Sequence, residues 1–456
     1  MNENFLTFSA TSVGYNHIKV NKVCEDASDW YSDEKMRICV VADGHGSDNY
    51  PRTDRGSGFA VDAAIKCIVD FVNVAETDDV LNDERNNFGL MLQLAASILK
   101  DWYQSVENDY EKNPFTEGEL EKVSDKYKKR FLSTDIRERR IEKAYGCTLI
   151  AYVVTEDYSF GLQIGDGKCI HVDKNGNFSE PIPWDEDCQM NVTTSICDDN
   201  AIEEFRFAIS SQAPLAVFCG SDGIDDSYAT PEELYALYRS IIKIFIEHGK
   251  DVGKKEIEEY LPILSKKGSG DDVSIGMILD ENYAKRIAQV FDIQREVFKL
   301  SGELKEKQQQ QNALESKSKA LRKKTHNDFE SWLGTFDLRL GGDTEEMPSR
   351  INQMVKQLGS YGSEYQKLCF EIQEIETKIS QLNDSLTDFL YDIDVLSFVE
   401  TEDEMAVTED IEAFRTNENG KHEDGITEYN ESAENEKGET NSVPCEVNTE
   451  TSHEET

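Results

Sequence analysis

From Phe5 to about Leu279, short apolar runs rich in β-branched residues alternate with turn residues, the spacing of a mixed α and β domain. Six runs read as strands: "MRICVVAD" (36–43), "CTLIAYVVT" (147–155), "SFGLQIGDG" (159–167), "KCIHVD" (168–173), "LAVFCGSDG" (215–223) and "VSIGMIL" (273–279). Between the first two, residues 57–72 and 86–108 repeat apolar side chains at steps of three and four and read as amphipathic helices. A third helix, 230–249, carries its own punctuation: Thr230 as N-cap, Pro231 at the first helical position and Gly249 at the end.

From about Glu281 the rhythm changes to heptads, the repeat of a coiled coil. Met354, Leu358, Tyr361, Tyr365 and Leu368 open a run that continues through Ile372, Ile375, Ile379, Leu382, Leu386 and Phe389 to Ile393. Val290, Ile293, Val297, Leu300 and Leu304 begin another, which fades towards Leu321. Between the two runs, Gly341, Gly342 and Pro348 end helices. The expectation is two long helices, folded back as a hairpin or paired with another chain, so that 285–395 is a candidate for self-association or for a partner helix. After about Glu400, nineteen acidic residues face three basic ones with few apolar side chains, and such a segment is expected to be disordered. The organisation read from pattern is therefore a domain over 1–282, a helical region over 283–399 and an acidic tail over 400–456.

Charge narrows the partners. The chain of 456 residues holds 91 acidic against 48 basic side chains, a net charge of -43, which repels nucleic-acid backbones and anionic membranes. No apolar run is long enough for a membrane span, and Met1 is not followed by a secretory pattern, so a cytoplasmic protein is expected. The 10 cysteines contain no C-x-x-C pair and several lie inside apolar runs, which fits a reducing compartment and argues against zinc.

The candidate chemistry lies where acidic residues abut strands. "VVADGHGSDN" places Asp43, Gly44 and His45 behind an apolar run, and four other stretches repeat the form: "VCEDAS" (Glu25, Asp26), "QIGDGK" (Asp166), "FCGSDGIDDS" (Asp222) and "GSGDDVSIG" (Asp271, Asp272). Taken alone an Asp-Gly pair is a turn. Taken together they supply carboxylate oxygens and close-lying backbone carbonyls, the donors that hard ions such as Mg²⁺ and Mn²⁺ require. Adjacent carboxylates also repel unless a cation sits between them.

The ordered set "CEDAS", "VVADGHGS", "GCTLIAYV", "QIGDGK", "FCGSDGIDDS" and "GDDVSIGMIL", spanning about residues 5 to 280, resembles the protein phosphatase 2C family of metal-dependent Ser/Thr phosphatases, in its bacterial branch. The resemblance implies an α+β fold: a four-layer α-β-β-α sandwich of two antiparallel sheets flanked by helices, with the metal centre at one end. It implies Mn²⁺ or Mg²⁺ as cofactor, with Asp26, Asp43, the backbone of Gly44, Asp222 and Asp271 holding an ion pair that Asp43 bridges. It further implies Glu25 orienting water at the metals, Asp166 serving a weaker third ion, and His45 as general acid towards the leaving serine or threonine oxygen. Histidine is suited to that last task because it can hold a proton near pH 7. Asp271 is preferred to Asp272 by alignment with the family's Asp-Asn before the last strand.

One feature of the family is missing. An arginine a few residues ahead of the Glu-Asp pair commonly holds the substrate phosphate, whereas "KVNKVCEDAS" has none, leaving Lys22, Arg52 and Arg55 as candidates. His17 and His171 lack the context of His45 and read as structural or solvent-facing. The implied function is hydrolysis of phosphoserine and phosphothreonine in proteins by metal-activated water. The alternative is a catalytically quiet scaffold that recruits partners through its heptads, and the acidic composition and lack of a basic stripe argue against a metal-dependent nuclease or polymerase.

Overall fold

In the computed structural model, residues 5–75, 77–81, 84–186, 188, 193–335 and 346–417 are described. Among these residues, ten strands build two antiparallel sheets. In chain order they are β1 (Phe5–Ser12), β2 (Ala27–Ser32), β3 (Met36–Ala42), β4 (Leu149–Thr155), β5 (Ser159–Ile164), β6 (Lys168–Val172), β7 (Phe178–Ser179), β8 (Arg206–Ser210), β9 (Ala216–Gly220) and β10 (Val273–Asp280). One sheet runs β1-β10-β9-β6-β7 and the other β2-β3-β4-β5-β8.

The central strands read as unbroken apolar runs because both of their faces are covered. Successive side chains of a strand point to opposite faces. Thus Ile38, Val40 and Ala42 of β3 join a core with Ala64 and Trp102 of the helices Thr53–Val74 and Glu84–Lys112. The intervening Cys39 and Val41 pack instead with Val217, Cys219 and Ile278 of the opposite sheet. On the far side, Phe8 and Phe218 meet Phe245 and Tyr238 of the helix Pro231–Lys267 at ring-centroid distances of 5.8 and 4.3 Å. Full burial of each such side chain contributes about 1.5–3 kcal/mol. Helix, sheet, sheet and helix are the expected four layers.

The strands that escaped the pattern reading are mostly marginal ones. β2 and β8 lie at sheet edges and are half-buried along most of their length, so neither shows a continuous apolar run. The third expected helix starts as read, with Glu233 N–H donating to the Thr230 hydroxyl and Pro231 in the first turn. At Gly249 the chain adopts φ 75°, breaks, and resumes as helix to Lys267.

The chain divides into two units, Met1–Asp392 and Ile393–Thr456. Within the first, the helix Ala288–Thr335 is crossed by residues of Glu346–Asn417 in antiparallel order. Lys307 pairs with Glu371 at 2.7 Å, Tyr365 O–H donates to Glu315 at 2.8 Å, and Arg350 lies 3.7 Å from Asp328. Leu300, Leu314, Leu368, Ile372 and Ile375 are buried, and Phe370 is exposed off the seam. At the hairpin's base, Gln294 donates to Gly176 O (2.9 Å) and accepts from Arg239 (2.9 Å). Helical backbone continues past Glu400 to Asn417, and the rest of the expected tail, 418–456, lies outside the described residues. Among the described residues, no helix is long and apolar enough to cross a membrane.

Candidate metal centre

Strand register delivers the acidic residues to one end of the sandwich. Ala27 of β2 opposes Ala42 of β3, so Asp26 directly ahead of one strand and Asp43 directly after the other emerge together. In the second sheet Ile275 opposes Gly220, which sets Asp271 and Asp272 beside Asp222. Asp166 follows β5 at the end where Leu149 opposes Ile164. The Asp43 turn is tied to that same end: Thr148 N–H donates to Asp43 O (2.8 Å), and Asp43 N–H donates to Thr148 Oγ1 (3.0 Å). Gly44 is required there, because a Cβ would stand 2.5 Å from Glu25 O and 2.5 Å from Thr53 Oγ1.

The electrostatics show how closely the carboxylates converge. Burial and then the charges of Asp26 and Asp222 hold Asp43 well above the usual carboxylate range. Burial, followed by the charge of Asp272, pushes Asp26 up to about 8. Burial raises Asp222 to about 6, against the lowering effect of its hydrogen bond with Asp43. Among the described residues both carboxylate oxygens of Asp26 are buried without a hydrogen-bond partner, and the nearby Ser221 and Ser274 side chains lower its proton affinity. Desolvated like charges facing one another are costly unless a cation neutralises them. An all-oxygen donor set, orphaned carboxylate oxygens and a glycine turn that a side chain would fill all fit hard divalent ions.

A model of the protein phosphatase 2C family matches residues 13–262. The chain belongs to that family. Solved structures of similar proteins include PppA, a regulatory component of the type VI secretion system (T6SS) in Pseudomonas aeruginosa, at 16% identity and TM-score 0.38, covering 61% of this chain and 98% of that one. The catalytic domain of the serine/threonine phosphatase PstP with two manganese ions is similar at 12% identity and TM-score 0.37, covering 60% and 97%. RsbX in complex with magnesium is similar at 13% and 0.34, covering 61% and 96%. No curated protein matches the chain significantly.

The candidates for phosphate binding and proton transfer each have partners in the structure. Arg52 is almost fully buried: Nε donates to Glu119 (2.7 Å), Nη1 to the Tyr145 hydroxyl (2.7 Å), and Nη2 to Glu119 again (3.1 Å). Arg55 pairs with Asp109 at 3.0 Å. Arg52 is enclosed by partners on the helical flank, whereas the Arg55 side chain stays 41% exposed beside Asp109. Lys22 alone of the three candidates reaches the carboxylates, its Nζ 2.6 Å from Glu25 Oε2 and 3.0 Å from Gly46 O. His45 is half-buried, its Nε2 2.7 Å from Ser195 Oγ and its ring edge-on to Tyr50. Burial lowers the proton affinity of this imidazole to about 4, against the raising effect of the Asp198 charge. Asp166 is raised by burial, and the preceding Gly165 adopts φ 105° with its N–H on Thr194 Oγ1.

The structure also separates Asp271 from Asp272. Asp272 is buried, and its two carboxylate oxygens accept the N–H groups of Gly14 (2.5 Å) and Glu25 (2.6 Å). Asp271 keeps a side chain 59% exposed. The placement of two residues was not read from the sequence. Ser195 lies 150 positions from His45, and His17, read as structural or solvent-facing, stands among Glu25, Asp271 and Asp272. No local pattern marks either, since Ser195 meets His45 across the fold and His17 meets Asp271 and Asp272 in the loop ahead of β10.

Proposed function

We propose that this protein hydrolyses phosphoserine and phosphothreonine in protein substrates with Mn²⁺ or Mg²⁺ bound at the strand ends. The observation that carries the reading is Asp26, whose two buried oxygens lack any partner in a cluster where Asp43, Asp222 and Asp271 converge. Asp26, Asp43, Asp222, Asp271 and the Gly44 carbonyl would hold the ions, and Asp166 a weaker third. Bound there, such ions make water acidic enough to attack phosphorus near neutral pH and neutralise the phosphoryl oxygens. Glu25 orients water from the Lys22 side, and Lys22 is the cation placed to meet the substrate phosphate. His45 faces the leaving oxygen and is held by Ser195. The proposal includes domain limits at 1–282, 283–399 and 400–456, and a reducing cytoplasmic setting consistent with free cysteines.

The test is initial-rate hydrolysis of a phosphothreonine peptide and of p-nitrophenyl phosphate after chelation and readdition of Mn²⁺. Asp43→Asn and Asp222→Asn should each lower turnover by about 10³-fold, equivalent to about 4 kcal/mol of barrier. A second reading, a quiet scaffold, draws on the commitment of Arg52 to the helical flank. Folded wild-type protein that binds Mn²⁺ yet turns over neither substrate would select it.

A further inference from the structure

His17 sits on the short helix Tyr15–Val20, which is docked against the loop ahead of β10. Asn16 N–H donates to Gly270 O (2.8 Å) and Tyr15 N–H to Ser265 Oγ (2.9 Å). Gly14 permits the approach, because a Cβ there would stand 2.5 Å from the carbonyl carbon of Asp271. The imidazole is thereby delivered into a carboxylate corner: Nδ1 is 3.0 Å from Asp272 Oδ1, and Nε2 is 3.9 Å from Asp271 Oδ1 and 3.8 Å from Glu25 Oε2. One donor atom from each of His17, Asp271 and Asp272 falls within 4.8 Å of the others.

We infer that His17 Nε2 is a ligand of the divalent centre alongside Asp271, and that this nitrogen biases the site towards Mn²⁺ over Mg²⁺. The inference rests on the metal-dependent reading above and adds a donor that the acidic motifs do not contain.

Distance supports it first. Donors to one octahedral ion at bond lengths of about 2.1 Å lie about 3 Å apart when adjacent and about 4.2 Å when opposite. The 3.9 Å between Nε2 and Asp271 Oδ1 falls inside that range, so one ion can touch both after small side-chain adjustments. Asp272 then has a different task. Its oxygens are occupied by the N–H groups of Gly14 and Glu25, so it anchors both loops and faces Nδ1, the outer side of the ring. That contact is electrostatic rather than an aligned hydrogen bond, yet it leaves Nε2 turned towards Asp271 and Glu25. Carboxylates behind a ligating imidazole set its orientation and basicity. Glu25 Oε2 is already neutralised by Lys22 at 2.6 Å, which places the shared ion on the Asp271 side.

The sign of the surroundings decides between a cation and an anion for this corner. Asp271 and Asp272 face His17 with Glu25, whose charge Lys22 offsets, so the corner stays net negative, attracting a divalent ion and repelling a phosphate approaching without one. Selectivity follows from donor type. Imidazole suits first-row transition ions, whereas Mg²⁺ prefers oxygen donors and keeps its waters.

The full-length protein, stripped with chelator and reloaded with Mn²⁺ alone, provides the test. Pulsed electron paramagnetic resonance should show modulation from a directly bonded ¹⁴N nucleus in wild type and none in His17→Gln. Calorimetric titration should show Mn²⁺ affinity falling about 10–100-fold in His17→Gln, with Mg²⁺ affinity unchanged. Mn²⁺ bound to wild type without ¹⁴N modulation overturns the inference, and this needs no folded variant. An equal loss of Mn²⁺ and Mg²⁺ affinity in His17→Gln, with melting unaltered in the metal-free state, also overturns it. Wild type that binds no Mn²⁺ overturns the metal-dependent reading as well, so the two failures are distinct.

Discussion

Replacing Arg52 by methionine separates a structural arginine from a substrate-binding one. The side chain is 2% exposed and makes two hydrogen bonds to Glu119 and one to Tyr145, with its guanidinium carbon 4.4 Å from the Phe115 ring centre. Methionine keeps the apolar stem and removes the charge, leaving Glu119 with only its Thr116 hydrogen bonds. Breaking a buried pair from one side costs about 3–5 kcal/mol, against a total stability of about 5–15 kcal/mol for a domain. With a urea slope of about 3 kcal/mol/M, the unfolding midpoint should fall by roughly 1–1.7 M. Below that midpoint the KM for a phosphopeptide should equal the wild-type value. A tenfold higher KM with an unmoved midpoint would refute the structural assignment and return Arg52 to the phosphate.

The same pair sets a pH signature. Burial alone would raise Glu119, but hydrogen bonds from Arg52 and from the Thr116 backbone and hydroxyl bring it from 4.5 down to about 2. A carboxyl depressed on folding contributes stability that is complete above its unfolded value and fades as pH falls towards the folded one. The stability gap between wild type and Glu119→Gln should therefore be constant above about pH 4.5 and close as pH approaches 2. A gap that widens on acidification would contradict the sign.

Gly44→Ala forces a Cβ to within 2.5 Å of Glu25 O, and overpacking of this kind costs about 1–3 kcal/mol, to be read as a lower melting temperature together with weaker Mn²⁺ binding by calorimetry. Mn²⁺ at 100 times its Kd should stabilise wild type by about 2.7 kcal/mol in urea titrations and leave Asp43→Asn nearly unchanged, because stabilisation requires binding. Leu368→Ala, at a buried position of the helical hairpin, should cost about 2–3 kcal/mol, seen by circular dichroism as early loss of helix, while turnover stays at the wild-type value. Lost turnover in that variant would show that the hairpin takes part in the site.

What was legible in the sequence is what a single stretch of chain decides. β3 announces itself because Ile38 and Val40 face helices while Cys39 and Val41 face the other sheet, so every position must be apolar. β2 stays hidden because an edge strand such as "ASDWYS" buries little. The strand-end carboxylates were visible for a similar local reason: a glycine has to stand where the backbone passes within contact of Glu25 or Asp272, as Gly44 and Gly223 do. Pairings across the fold left no such trace. Nothing near Arg52 distinguishes a surface cation from one enclosed by Glu119, 67 positions away. Asp271 and Asp272 are chemically identical neighbours, and only the N–H groups arriving from Gly14 and Glu25 commit one to architecture and leave the other accessible. A carboxylate satisfied by backbone amides has little left to offer an ion, whereas Asp26, equally buried but with neither oxygen bonded, carries an unmet requirement. That difference in hydrogen-bond satisfaction separates the residues that hold the fold from those available to chemistry.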